Sequence, residues 1–288
     1  MIDLHMHTTA SDGRCSPGEL VTRAWSVGIR TMSVTDHDTM AAVPAVTEAA
    51  SALDMTVIPG IEITSVHAGK DVHVLAYFLP ESAPGLREML STQRQQRIDR
   101  AVEIGNRLAQ LGVPIDVQAL VETASARGGK SLARPQIAQA LITAGHVSSV
   151  AEAFDRYLGE DSPAYVPHRG ASPHEVVRLI TSGGGIASLA HPGYRPKDEI
   201  IPELVEAGLP AIEVYHSSHD EAAQAHYLAM ARHYGLVPTG GSDYHGEGAR
   251  RAEFFGVVNL PAEHLEALFA LASRSSGAAA LEARTVTA

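Results

Sequence analysis

Each run of this chain that reads as a β-strand stops at, or carries near its end, a side chain able to hold a metal ion. His5 and His7 come at the end of the opening strand, His37 after the run 31–35, and Glu62 within the run 56–64. His73 lies in the run 71–78, His191 follows 186–190, His216 follows 211–215, and Asp243 and His245 follow 236–241. In parallel α/β sheets and barrels the carboxyl ends of the strands face one way, and active sites form there. Unrelated surface histidines would not fall at strand ends every time, so the pattern predicts an α/β fold with converging donors.

The intervening segments read as helices. Ser16-Pro17-Gly18-Glu19 joins an N-cap, a proline at the first helical position and a capping-box glutamate, so a helix should run to about Val27 and stop at Gly28. Ser172-Pro173-His174-Glu175 repeats the signature. Further helices are expected over 41–53 and 220–234, and a helix and frayed tail at the end. From about residue 80 to 164 no strand pattern is evident. The reading is therefore a barrel in two parts, 1–80 and 165–288, around an inserted helical subdomain, 81–164, acting as a substrate lid. Arg87, Arg94, Arg97, Arg100 and Arg107 are read as the solvated face of its first helix.

Composition narrows the function. A net charge of -11 argues against a binder of long nucleic acid, which gains affinity by covering phosphates with Lys and Arg. The single cysteine, Cys15, read as a small buried residue, excludes an internal disulfide and favours a reducing compartment. No apolar run approaches a membrane span and no leader-like segment opens the chain. A cytoplasmic protein with no membrane partner is the expectation.

A His-x-His pair with carboxylates and no thiolate suits a divalent first-row ion rather than a closed structural zinc site. Mn²⁺ is the first choice, with Fe²⁺, Zn²⁺ or Mg²⁺ as alternatives, and two to three ions are expected. Lys130, Ser131 and Arg134, after two glycines at a helix start, could bind a substrate phosphate, and His168 and Arg169 could add to that pocket. His67, His146, His174, His219, His226, His233 and His264 are read as surface residues.

The motifs His5-x-His7 with Ser11-Asp12-Gly13, Thr35-Asp36-His37, Gly60-Ile61-Glu62, His73, Ala190-His191-Pro192 and Gly241-Ser242-Asp243-x-His245 resemble those of the polymerase and histidinol phosphatase, or PHP, family. The resemblance covers almost the whole chain. It implies a distorted (β/α)7 barrel carrying three metal ions. By analogy His5, His7, Glu62 and Asp243 would hold one ion, Glu62, His73 and His191 a second, and Asp12, His37 and His245 a third. Glu62, Asp12, His191 and His216 would be the catalytic residues, with His216 a ligand, a proton donor or a substrate contact. The implied activity is a metal-dependent phosphatase removing the 3′-phosphate of a 3′,5′-bisphosphorylated nucleoside. The alternatives are 5′→3′ hydrolysis of short RNA, histidinol phosphate hydrolysis, and an idle binding module.

Overall fold

In a computed structural model of the chain, residues 1–126, 132, 134–194 and 197–276 are described. They divide into two units: 1–65, 72–87 and 171–288 in the first, and 66–71 and 88–170 in the second.

The first unit carries the strand ends. Strands β1 (Ile2–Asp3), β2 (Thr31–Met32) and β3 (Thr56–Val57) form a parallel three-stranded sheet. Strands β4 (Gly60–His67), β5 (Lys70–Tyr77), β6 (Ile186–Leu189), β7 (Ala211–His216) and β8 (Val237–Gly241) form a second sheet in that order. Helices α1 (Pro17–Ser26) and α2 (Val43–Ser51) cover the first sheet, with Leu20, Val21, Ala24 and Val46 packed on Met32, Val34, Met55 and Val57. Helix α1 has the predicted capping box: the Ser16 hydroxyl accepts from Glu19 N, and Glu19 accepts from Ser16 N at 2.8 Å.

The fold is mixed α/β, and no closed (β/α)7 barrel forms among the described residues. Two local features work against regular repetition. The expected strand 56–64 is split by Ile58-Pro59, because Pro59 has no N–H to give to a ladder. Strand β5 runs antiparallel to β6, so that pair is not a βα unit.

The second unit is helical: most of α3 (Leu86–Gln110), then α4 (Val117–Ala126), α5 (Arg134–Thr143), α6 (Val150–Ala153) and a π-helical turn Phe154–Leu158. Its core joins Ala101, Ile104 and Leu108 to Ile137, Leu141, Tyr157 and Leu158. The expectation of a solvated arginine face on α3 holds for Arg87 and Arg94, which are exposed, and is corrected for the other three. Arg97 is buried, Arg100 Nε donates to Val166 O at 2.8 Å, and Arg107 donates to Tyr165 O. Guanidinium groups turn inward where loop carbonyls need donors and long aliphatic stems can cover apolar surface.

Helices α7 (Pro173–Ser182), α8 (Ile201–Glu206), α9 (Glu221–Tyr234) and α10 (Ala262–Ser276) complete the first unit. No helix among the described residues is long and apolar enough to cross a membrane.

Candidate metal centre

Alternation along the first strand sends the His5 and His7 rings to one side. The backbone around them is too close for side chains: a Cβ on Gly241 would collide with His5 N, and one on Gly13 would stand 2.5 Å from the His7 carbonyl. Asp36, buried, accepts from Thr8 N at 2.8 Å, Thr8 Oγ1 at 2.6 Å and Ser11 Oγ at 2.6 Å. That clasp turns the loop so that Asp12 comes within 3.9 Å of His7. His191 and Asp243 have φ of 30° and 56°, in the left-handed region. Such positions cost on the order of 1–3 kcal/mol and persist when neighbours over-determine them. Here His191 N donates to Glu213 Oε2 at 2.7 Å, and Asp243 N to His5 O at 2.8 Å.

Glu62, fully buried, is the hub. Its Oε2 lies 3.2 Å from His5 Nε2, 3.3 Å from His7 Nε2 and 3.2 Å from His37 Nδ1. Its Oε1 lies 2.7 Å from His73 Nδ1 and 3.0 Å from His191 Nε2. Asp243 Oδ1 is 3.4 Å from His5 and 3.2 Å from His7, while Oδ2 is 3.5 Å from His216 Nε2. Asp12 is 3.3 Å from His245 and 3.9 Å from His37. Four sets have donor atoms within 4.8 Å of one another: His5, His7, Glu62 and Asp243; His7, Asp12, His37 and His245; His37, Glu62 and His73; His5, Glu213 and His216.

These residues fit a metal cluster. Among the described residues, His7 Nδ1 and Nε2, His37 Nδ1, His73 Nδ1, His191 Nδ1 and His216 Nε2 are buried without a hydrogen-bond partner. A buried polar atom without a partner costs on the order of 1–3 kcal/mol, so this many in one place calls for a ligand. Lone pairs of nitrogen and carboxylate oxygen converging on shared points call for cations.

The electrostatics divide the histidines: against burial, carboxylates draw His5, His7 and His245 toward the protonated form, in which a proton stands where a cation would, and burial keeps His37 and His191 neutral. Burial raises the Glu62 carboxyl, but His37, His73 and His5 outweigh it and hold Glu62 well below the usual range. Burial raises Asp243 too, and His5 and His245 overcome it. Burial pushes His37 down to about 4 and His191 down to about 3, which keeps them as neutral, lone-pair-bearing rings, the form a metal requires. Burial also lowers His7, but Asp243 and Glu62 overcome it and lift it to about 10.

Sequence reasoning missed Glu213. It is fully buried, with Oε1 2.9 Å from His5 Nδ1, and burial is outweighed by His5 so that its carboxyl falls to about 2. The available signal was a glutamate inside the apolar run Ala211-Ile212-Glu213-Val214. The register of β7 against β8 shifts between Glu213 and Tyr215. Such a bulge inserts one residue and resets the alternation, which lets Glu213 and His216 share a side.

His219, expected on the surface, is buried. Its Nδ1 donates to Val214 O at 2.8 Å and its Nε2 accepts from Gly193 N at 3.0 Å. The chain after β7 folds back onto its own strand, and these two backbone groups satisfy the ring.

Among the proposed substrate contacts, Lys130 and Ser131 lie outside the described residues. Arg134 opens α5, donates to Leu158 O at 3.2 Å, and lies 5.6 Å and 5.5 Å from the ring centres of Phe154 and Tyr165. Buried His168 pairs through Nδ1 with Asp71 at 2.8 Å, and Arg169 is exposed.

Comparison with known proteins places this geometry. The PHP domain model matches residues 3–111. A 5′-3′ exoribonuclease of Escherichia coli is 33% identical over 250 residues, 84% of each chain. A phosphoribosyl 1,2-cyclic phosphate 1,2-diphosphodiesterase of Eggerthella lenta is 32% identical over 256 residues, 86% of this chain and 95% of that one. A 3′,5′-nucleoside bisphosphate phosphatase of Chromobacterium violaceum is 30% identical over 256 residues, 86% and 89%. A crystal structure from Bifidobacterium adolescentis, described as a metal-dependent phosphoesterase, superposes with a TM-score of 0.83 at 29% identity, covering 93% of this chain and 95% of that one.

Proposed function

The chain belongs to the PHP domain family of metal-dependent phosphoester hydrolases, and on that premise we propose that it removes the 3′-phosphate from 3′,5′-bisphosphorylated nucleosides, leaving the 5′-monophosphate. The observation that carries the hydrolytic part is the set of buried ring nitrogens without partners around Glu62 and Asp243. The substrate class draws on the Chromobacterium violaceum relative and on the acidic chain, which suits a compact ligand better than a long strand.

His5, His7, Glu62 and Asp243 would hold one divalent ion. Glu62, His73 and His191 would hold a second, and Asp12, His37 and His245 a third. Mn²⁺ is the proposed metal, since mixed nitrogen and oxygen donors suit it better than Mg²⁺. When bound, such ions neutralise charge on the phosphoryl oxygens and acidify water near neutral pH. Glu213 orients the His5 ring and fixes the backbone at His191. His216 is assigned as the proton donor to the leaving oxygen: Ser218 N donates to its Nδ1 at 3.1 Å, which leaves the proton on Nε2, facing Asp243. The lone buried Cys15 accords with a cytoplasmic setting.

The second reading is 5′→3′ hydrolysis of short RNA, favoured by the Escherichia coli relative. A panel decides between them: phosphate and nucleotide release, with Mn²⁺, from bisphosphorylated nucleosides, short oligoribonucleotides and histidinol phosphate. The bisphosphate is expected to give the highest kcat/KM. A higher value on the oligoribonucleotides would move the assignment to the exoribonuclease.

A further inference from the structure

The loop after His191 and the loop after His245 bring together three side chains that the metal centre does not use. Tyr194 stands edge-on to the His191 ring, with centroids 6.1 Å apart and planes at 90°, and is 39% exposed. Two arginines gather on it. Arg250 Nη1 donates to the Tyr194 hydroxyl at 2.8 Å, and the Arg250 and Arg251 guanidinium carbons lie 5.1 Å and 4.7 Å from its ring centre. Among the described residues neither arginine forms an ion pair with a carboxylate. Arg251 also sits in the left-handed region, with φ of 63°. Burial and the charge of Arg250 hold the Arg251 guanidinium below its ordinary value.

Asp243 and Glu253 attract Arg251 from beyond ion-pair distance, but burial and the repulsion between two guanidinium groups held on one aromatic ring outweigh them, an arrangement that a closely bound anion would relieve. Planar guanidinium forks match the oxygens of a phosphate better than an ammonium does. The ring contact with His191 sets this anion site directly beside the donors.

We propose that Tyr194, Arg250 and Arg251 bind the phosphate of the substrate that is not cleaved, an inference that rests on the reading of the substrate as a bisphosphorylated nucleoside. The 5′-phosphate is held by the two guanidinium groups while the 3′-phosphate lies at the donor cluster. Tyr194 fixes both arginines and links their loop to that of His191.

The test titrates the metal-loaded full chain with adenosine 5′-monophosphate by calorimetry, beside kinetics on adenosine 3′,5′-bisphosphate and adenosine 3′-monophosphate. Arg250→Ala and Arg251→Ala are each expected to weaken the monophosphate roughly tenfold or more. They should also lower kcat/KM more on the bisphosphate than on the 3′-monophosphate. Arg251→Lys should recover only part of the loss, because it restores charge without the fork. If an alanine variant does not fold, Arg251→Lys and Tyr194→Phe carry the same comparison.

Unchanged affinity for the 5′-monophosphate in the folded variants, or equal losses on both kinetic substrates, overturns the site. The two readings fail separately. A wild-type chain that ignores the bisphosphate but loses 5′-monophosphate affinity in the variants refutes the substrate and keeps the site. A wild-type chain that hydrolyses the bisphosphate with variants unchanged does the reverse.

Discussion

The two units bury polar groups in different ways. In the strand-bearing unit, histidine rings and carboxylates are packed together with nitrogen atoms that have no hydrogen-bond partner. In the helical unit, Arg100, Arg107 and Arg134 are tied to backbone carbonyls, and Arg134 also lies on two rings. There, among the described residues, few buried atoms lack a partner, Gln96 Oε1 and Arg100 Nη2 among them. Buried polar groups with partners hold a fold together, whereas those without partners in a concentrated set mark a place built for a ligand. By that criterion the metal-binding donors belong to the first unit, while Arg100, Arg107 and Arg134 make contacts within the second.

The strongest way to break this comparison is at the hub. Glu62→Gln removes a charge approached by five imidazoles. Turnover is expected to fall by about a thousandfold or more, with metal content reduced and the circular dichroism spectrum retained. Near-normal turnover with full metal content would remove Glu62 from the site.

Next comes Glu213, which touches the cluster only through His5 and the His191 backbone. Residues that orient metal ligands typically contribute about 10–100-fold in metal affinity or activity. Glu213→Gln is expected in that range, measured by metal titration and kcat. A loss as large as that of Glu62→Gln would make Glu213 a ligand itself, as its grouping with His5 and His216 also allows.

Arg134 is where the comparison is sharpened. If it serves packing, Arg134→Ala should lower the unfolding free energy by about 1–2 kcal/mol, through loss of one hydrogen bond and two ring contacts. Its effects on substrates with one and two phosphates should then be equal. A loss confined to the doubly phosphorylated substrate, at an unchanged unfolding midpoint, would return Arg134 to phosphate recognition.

The smallest effect lies at exposed helix starts. Glu152 accepts from the Ser148 hydroxyl and N–H, which lower its carboxyl to about 2, and Glu19 is lowered by the equivalent bonds from Ser16. A depressed carboxyl adds stability above its unfolded value, about 4.3. That stability is lost as pH falls through the folded one. Glu152→Gln should therefore flatten the acid dependence of the unfolding midpoint between those values. An unchanged profile would show that the bonds do not form in solution.

Much of this protein was written locally. The capping boxes at Ser16 and Ser172 were legible because their partners are three residues apart, and the strand-end donors because each ends an apolar run. Only the tertiary structure decided the rest. Glu213 and His216 share the side of His5 because a bulge between them resets the side-chain alternation, and His219 turns inward because Gly193, 26 residues away, offers it an N–H. Arg97 is buried although its helix reads as solvated, and β5 pairs antiparallel with a strand more than a hundred residues distant. Short-range hydrogen bonds and alternation are properties of neighbouring residues and can be read from them. Whether a polar group is buried, and against what, depends on partners that only the folded chain brings within reach.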